Sequence, residues 1–300
     1  MDASAIDCLI VGGGPAGLTA AIYLGRYRRH TLLIDAGHSR AALIPESHNY
    51  PGYSGIAGKD LLLLLRRQAE KYGSRLEHGQ VDALARERDG FVATGGTGRI
   101  AARRVLLATG IVDDCPPIPG FSEALAAGAL RFCPVCDAYE AMDRRIGVMG
   151  PLPRAVAKAR FLRTYSRDVS VLRTDRPAPI AEAVARTICE AGLKVPAGTV
   201  DCIERAGDKI VVALTDGERC ELDVLYPALG ARVRSDLATS LTARCSDEKC
   251  LYVDEHQRTS VDGLFAAGDV VSDLHQISVA VGHAAIAATA MHNSLPPNYR

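Results

Sequence analysis

The chain has 300 residues, 48% of them hydrophobic, which is material for more than one ordinary domain core. Its 35 basic and 35 acidic side chains cancel to a formal net charge of zero, with no block of like charge. That balance argues against nucleic acid or an anionic membrane surface as partner.

The first residues, Met1 to Asp7, carry two aspartates and no Lys or Arg, unlike a secretory leader. Ile6 to Val11 is a short apolar run ending at glycines and is predicted to be a buried strand. Pro15 opens a helix running to about Tyr27, and Thr31 to Ile34 forms a second strand closed by Asp35. Together they make a βαβ unit. Between strand and helix, Gly12-Gly13-Gly14-Pro15-Ala16-Gly17 fits G-x-G-x-x-G. The first glycine permits the tight turn, the second lets backbone approach a pyrophosphate, and the third allows close helix–strand packing. Asp35 stands where a carboxylate binds a ribose hydroxyl. These residues define an expected dinucleotide site at the helix N-terminus.

Leu61 to Leu65, the longest aliphatic run, is far short of the ~20 residues that cross a bilayer, and the chain is read as cytoplasmic. Strands follow around Phe91 to Thr94 and Arg104 to Ala108, the latter ending in Ala108-Thr109-Gly110. The Pro-rich stretch Asp113 to Gly120 suggests a domain crossing. A second block then repeats the first: strand Arg145 to Met149, helix Pro153 to Tyr165, strand Val169 to Leu172. Strand-like pieces follow at Lys209 to Leu214 and Leu222 to Leu229. Near Cys250 the first pattern returns, with strand Leu264 to Ala267 ending at Gly268-Asp269 and a small-residue helix Ile277 to His292. The expected organisation is a nucleotide domain (1–115 and 248–300) interrupted by a second nucleotide-type domain (116–247).

Nine cysteines are present, and Cys8, Cys189 and Cys202 lie in apolar stretches where small buried hydrophobes are expected. Cys133-Pro134-Val135-Cys136-Asp137 is different. Two cysteines three apart at a helix start can cycle between dithiol and disulfide, and Asp137 can carry the proton this requires. A zinc site needs two further ligands. Cys245 and Cys250 are the available pair, and their gap is poor for a knuckle, so no metal is expected. A structural disulfide is equally out of place in a cytoplasmic chain.

With this fingerprint, the late Gly268-Asp269 and Cys-x-x-Cys-Asp in the second block, the chain resembles the low-molecular-weight thioredoxin reductases from Ile6 to about Leu295. The loop His48-Asn49-Tyr50-Pro51-Gly52 and Gln276 strengthen the likeness. The resemblance implies an α/β fold of two Rossmann-like, three-layer ββα dinucleotide-binding domains, the second inserted into the first. It implies FAD held by Gly12, Gly14, Pro15, Ala16, Gly17, Asp35, Asn49, Val81, Ala108, Thr109, Gly110, Gly268, Asp269, His275, Gln276 and Ile277. It implies Cys136 nearer the flavin, Cys133 exchanging with substrate, Asp137 as acid/base, a thioredoxin-like protein as partner, and a homodimer whose domains swing between half-reactions.

The second nucleotide motif departs from the family. Where G-x-G-x-x-A is expected, the chain has Gly150-Pro151-Leu152-Pro153-Arg154-Ala155. Leu152 is expected to fill the pyrophosphate space, and each proline removes a phosphate-binding N–H. After the next strand, Leu172-Arg173-Thr174-Asp175-Arg176 offers two cations, but Asp175 repels a 2′-phosphate. The better-supported reading is a site that no longer takes NADPH. Electrons then pass between small-molecule dithiols and O₂, or come from a ferredoxin-type donor. A flavin-binding redox sensor is the rival of another class, and a ferredoxin–NADP reductase relative would have no use for the cysteine pair. A Pro-Pro tail carrying Tyr299 could cover a flavin face.

Overall fold

A computed structural model describes residues 6–88, 90–176, 178–271 and 274–299. The chain runs β1 (Ile6–Val11), α1 (Pro15–Arg26), β2 (Thr31–Asp35), α2 (Gly58–Lys71), β3 (Arg75–His78), β4 (Val81–Glu87), β5 (Gly90–Gly95), β6 (Gly98–Leu107) and β7 (Ile111–Asp113). It continues through α3 (Phe121–Ala126), α4 (Pro134–Asp137), β8 (Ile146–Gly150), α5 (Leu152–Leu162), β9 (Val169–Arg173), α6 (Glu182–Ala191), β10 (Val200–Ala206), β11 (Lys209–Leu214), β12 (Arg219–Leu222) and β13 (Val224–Pro227). It closes with β14 (Ala231–Val233), α7 (Asp236–Thr239), β15 (Leu264–Ala266) and α8 (Ile277–Asn293). These elements form two compact units. One comprises Met1–Glu46, Tyr50–Val112 and Arg232–Arg300, the other Ser47–Asn49 and Asp113–Ala231.

In the first unit β3, β2, β1 and β6 lie side by side in parallel, and β15 adds to the far end of β6. The beginning of β6 pairs antiparallel with β5, and β5 with β4. Strand β1 is apolar on both faces because both are covered. Cys8 and Ile10 point to the core with α1 and α8, whereas Leu9 and Val11 point to the core containing Leu84 and Phe91 of the β-meander. The result is a three-layer ββα unit.

The second unit repeats the plan. β8 lies parallel between β9 and β13, and β10–β12 form an antiparallel meander. Ile146, Val148 and Tyr226 face the core with α5, and Met149, Leu172 and Leu225 face the meander. The fold is thus two Rossmann-like ββα units, the second inserted into the first.

Several boundaries differ from expectation for identifiable reasons. The predicted strand Leu222 to Leu229 breaks at Asp223, whose carboxylate accepts the Arg145 backbone N–H at 2.9 Å. The chain re-enters the first unit at Arg232, ahead of position 248, because Ala238, Ala243 and Leu251 pack into that unit's core. Only Cys8 of the three cysteines expected inside is buried, with burial pushing its thiol up to about 12. Cys189 and Cys202 are exposed, since α6 buries no residue and Cys202 lies on the open side of β10.

Candidate functional site

The glycine turn of the first unit is built by close backbone approaches. Gly12 has φ +111°, and a Cβ there would lie 2.3 Å from the Ala108 carbonyl oxygen. A Cβ on Gly17 would meet the Gly12 carbonyl oxygen at 1.9 Å, so the α1 turn is clamped onto β1. Gly14 differs: its missing Cβ faces open space bounded only by Ser39 Oγ at 3.3 Å. Gly14 is the N-cap of α1, Pro15 follows it, and no side chain caps the helix, which leaves N–H groups available to a phosphate.

Of the remaining expected residues of this unit, Asp35, Ala108 and Gly268 touch that turn or the start of α1. Asp35 ends β2, and its Oδ1 accepts the Gly13 and Gly37 amides at 3.2 and 3.0 Å, while Arg66 pairs with Oδ2 at 2.9 Å. Thr109 Oγ1 donates to the Arg234 carbonyl at 2.6 Å, and the Gly110 carbonyl accepts the Arg234 amide at 3.0 Å. Gly268, with φ +79°, lies where a Cβ would meet Ala16 at 3.0 Å and Ala280 at 3.6 Å. Asp269 thereby follows the meeting point of α1 and α8, its carboxylate 3.3 Å from Arg40. Gln276 stands at the N-cap position of α8 ahead of Ile277 without a side-chain capping bond, and its Nε2 donates to the His275 carbonyl at 3.0 Å. Val81 begins β4 with its side chain in the core. Arg40 and Arg66 had no sequence signature, being basic residues at the start of a short 3-10 turn (Arg40–Leu43) and within α2, with no motif around them. The open notch at Gly14, the uncapped helix and the two anchored carboxylates fit an adenine dinucleotide such as FAD.

The tail is held elsewhere. Arg29 donates to the Pro296 and His292 carbonyls at 2.9 and 3.0 Å, and Asn298 Nδ2 to the Tyr27 carbonyl at 2.9 Å. Tyr27 and Arg29 precede β2, at the end of the parallel strands opposite to Gly12–Gly17, and Tyr299 is 91% exposed. Within its own unit the arm does not reach the glycine turn; Arg300 lies outside the described residues.

In the second unit Cys133 and Cys136 are joined as a disulfide, with Cα atoms 5.3 Å apart, across the single helical turn α4. Asn49 Nδ2 donates to the Val135 carbonyl at 3.2 Å, seating the His48-Asn49 loop on this turn. Asp137 packs inward. Tyr226 donates its hydroxyl to Asp137 Oδ1 at 2.8 Å, and Arg131 donates to the Asp137 carbonyl. Burial outweighs these partners and pushes the Asp137 carboxyl up to about 6, in the range of a working acid/base. Tyr226 stands 89 residues further along the chain, and no local pattern could have linked it to Asp137.

The second nucleotide loop retains part of the first one's frame. A Cβ on Gly150 would meet the Ala228 carbonyl oxygen at 2.6 Å, as one on Gly12 meets Ala108. Leu152, in the place of Gly14, is 4% exposed with its side chain in the core, so it does not fill the pyrophosphate space from above as expected. Its backbone N–H is instead taken by Asp175 Oδ1 at 3.0 Å. Arg173, 7% exposed, contacts the other Asp175 oxygen at 3.5 Å. The chain's own carboxylate therefore holds the helix amide that a phosphate would use.

A glycine turn that fits a dinucleotide in one ββα unit, and in the other a Cys-x-x-Cys disulfide followed by a carboxyl raised to about 6, are features of a flavin-linked disulfide oxidoreductase. Comparison with known proteins agrees. The family model for pyridine nucleotide-disulphide oxidoreductases matches residues 6–284. The chain is 32% identical over 295 residues to the thioredoxin reductase of Mycolicibacterium smegmatis, covering 94% of each chain. It is 32% identical over 295 residues to that of Treponema pallidum (strain Nichols), covering 95% of each. Among solved structures, HlmI matches with a TM-score of 0.90 at 30% identity, over 98% of this chain and 93% of that one. Thioredoxin reductase from Streptococcus pyogenes MGAS5005 matches with a TM-score of 0.88 at 26% identity, over 97% and 98%. The chain belongs to the pyridine nucleotide-disulphide oxidoreductases. Within them it is an FAD-dependent disulfide oxidoreductase of the thioredoxin-reductase type.

Proposed function

We propose that this enzyme oxidises dithiols to disulfides through Cys133 and Cys136, without NADPH. The observation that carries the reading is the Leu152–Asp175 hydrogen bond at 3.0 Å in the second nucleotide loop. Pro151 and Pro153 have no N–H to offer, and the amide between them is already taken by a carboxylate. A phosphate arriving there meets a negative charge in place of a donor.

A substrate thiolate attacks Cys133 Sγ, the Cys133–Cys136 bond breaks, and the electron pair leaves on Cys136. Asp137 takes up or returns the proton at the departing or arriving sulfur. The second substrate thiol attacks the mixed disulfide, which releases oxidised substrate and leaves both protein cysteines reduced. FAD, when bound, supplies the acceptor for that electron pair, and O₂ is the terminal oxidant, reduced to hydrogen peroxide. The Gly14 notch and the α1 amides would hold its pyrophosphate, on the turn that Gly12 and Gly17 make possible; Asp35 would take a ribose, and Asp269 would serve the pyrophosphate and ribityl chain. Val81, Ala108, Thr109, Gly110, His275, Gln276 and Ile277 would complete its surroundings. The working form is a cytoplasmic homodimer; no helix among the described residues is long and apolar enough to cross a membrane.

The names of the relatives favour a second reading, reduction of a thioredoxin-like protein by an external donor. Aerobic turnover with a small dithiol separates the two. One O₂ consumed per disulfide formed, lost in both Cys133→Ser and Cys136→Ser, supports the oxidase. Disulfide reduction driven by NADPH or a ferredoxin, with no thiol-dependent O₂ uptake, contradicts it. A single flavin reduction without turnover would indicate a redox sensor.

A further inference from the structure

We propose that Tyr226 is a positioning residue for proton transfer at the cysteine pair: its hydroxyl holds Oδ1 of Asp137 and leaves Oδ2 as the proton-carrying oxygen. The inference rests on the reading of Asp137 as the acid/base.

The two units supply an internal comparison. Tyr226 on β13 pairs with Val148, and the corresponding pair in the first unit is Leu106 with Ile10. Both positions face the helix-side core, and both are fully buried. The unit without a redox pair has a leucine there, and the unit with one has a tyrosine. A leucine would fill this core position without burying a hydroxyl, and a buried hydroxyl is costly unless bonded. Its partner is the Asp137 carboxylate at 2.8 Å.

Three other charged groups act on Asp137. Arg131, after α3, donates to the Asp137 and Gly128 carbonyls and also hydrogen-bonds the Tyr226 hydroxyl. Lys158, from α5, donates to the Phe132 and Pro227 carbonyls at 3.2 and 2.5 Å. Glu140, one turn on, adds a repulsive charge and has His48 at 4.0 Å. The tyrosine hydroxyl is thus the group that distinguishes one carboxylate oxygen from the other. By donating, it also favours the ionised form and restrains the rise that burial imposes.

The test is the pH profile of dithiol turnover by the FAD-loaded enzyme, for wild type, Tyr226→Phe and Asp137→Asn. The limb that Asp137→Asn removes is expected to move to higher pH in Tyr226→Phe by roughly half a unit to one unit, the worth of one hydrogen bond. KM for the thiol is expected to stay unchanged. Tyr226→Leu, which installs the first unit's residue, should give the same shift, and serves if the phenylalanine variant folds poorly. A limb unmoved in both variants yet abolished by Asp137→Asn makes Tyr226 a space filler and overturns the inference while leaving the Asp137 role intact. A limb that survives Asp137→Asn overturns both.

Discussion

Asp175 accepts the backbone N–H of Leu152 at 3.0 Å, just as Asp35 accepts that of Gly13 at 3.2 Å. The duplicated contact has opposite consequences in the two units. Asp35 reaches the middle glycine and leaves the Gly14 notch open, whereas Asp175 takes the amide at the position equivalent to Gly14. Asp175→Ala is expected to destabilise the second unit by about 1 kcal/mol, the value of a helix-start carboxylate. It is not expected to create micromolar NADPH binding, because Pro151 and Pro153 still lack donors. Thermal melting and quenching of NADPH fluorescence check the two halves.

Gly14→Ala separates folding from cofactor binding. The added methyl meets only Ser39 Oγ at 3.3 Å, which a hydroxyl rotamer can relieve. The variant should keep its secondary structure but lose FAD affinity by roughly tenfold or more, the methyl standing where the pyrophosphate approaches. Gly12→Ala, at φ +111° and 2.3 Å from the Ala108 oxygen, should fail to fold well at all. Circular dichroism and the flavin content of purified protein report the difference.

Asp137 links the site to stability. With its carboxyl raised to about 6 by burial, it costs nothing below the pH at which the unfolded chain ionises it. The cost grows as pH rises through the acid range and is complete above about 6. Asp137→Asn keeps an acceptor for Tyr226 and removes that cost. It should therefore stabilise the protein by about 1–3 kcal/mol at pH 8 and by little at pH 4. Denaturant midpoints at the two pH values check this; a gain that grows toward low pH would reverse the assignment.

Thiol labelling of the native protein should find Cys189 and Cys202, which are exposed, and spare Cys8, which is buried with its thiol pushed up to about 12. Mass mapping after brief alkylation with iodoacetamide reads this directly.

The parts of the fold set by local chemistry were legible in the residues. Ile6–Val11, the glycine turn and Thr31–Asp35 announce themselves because a strand covered on both faces is apolar through its middle and a tight turn needs glycine. Strands such as Val81–Glu87 and Val200–Ala206 were missed, since each exposes most of its length and buries few side chains. The cysteine pair was legible from spacing alone. The hydroxyl partner of Asp137 was not, because Tyr226 reaches the carboxylate only once β13 has paired with β8. Leu152 could be read as a lost glycine, but not as a residue turned into the core with its amide held by Asp175.

The most direct measurement is anaerobic absorbance of the FAD-loaded protein, titrated first with NADPH and then with a small dithiol. An enzyme fed by thiols leaves the flavin band unchanged at micromolar NADPH, bleaches it with about one equivalent of dithiol, and recovers the band on admission of air. Bleaching by micromolar NADPH would contradict this, and would mean that the Pro151-Leu152-Pro153 loop still receives a nucleotide.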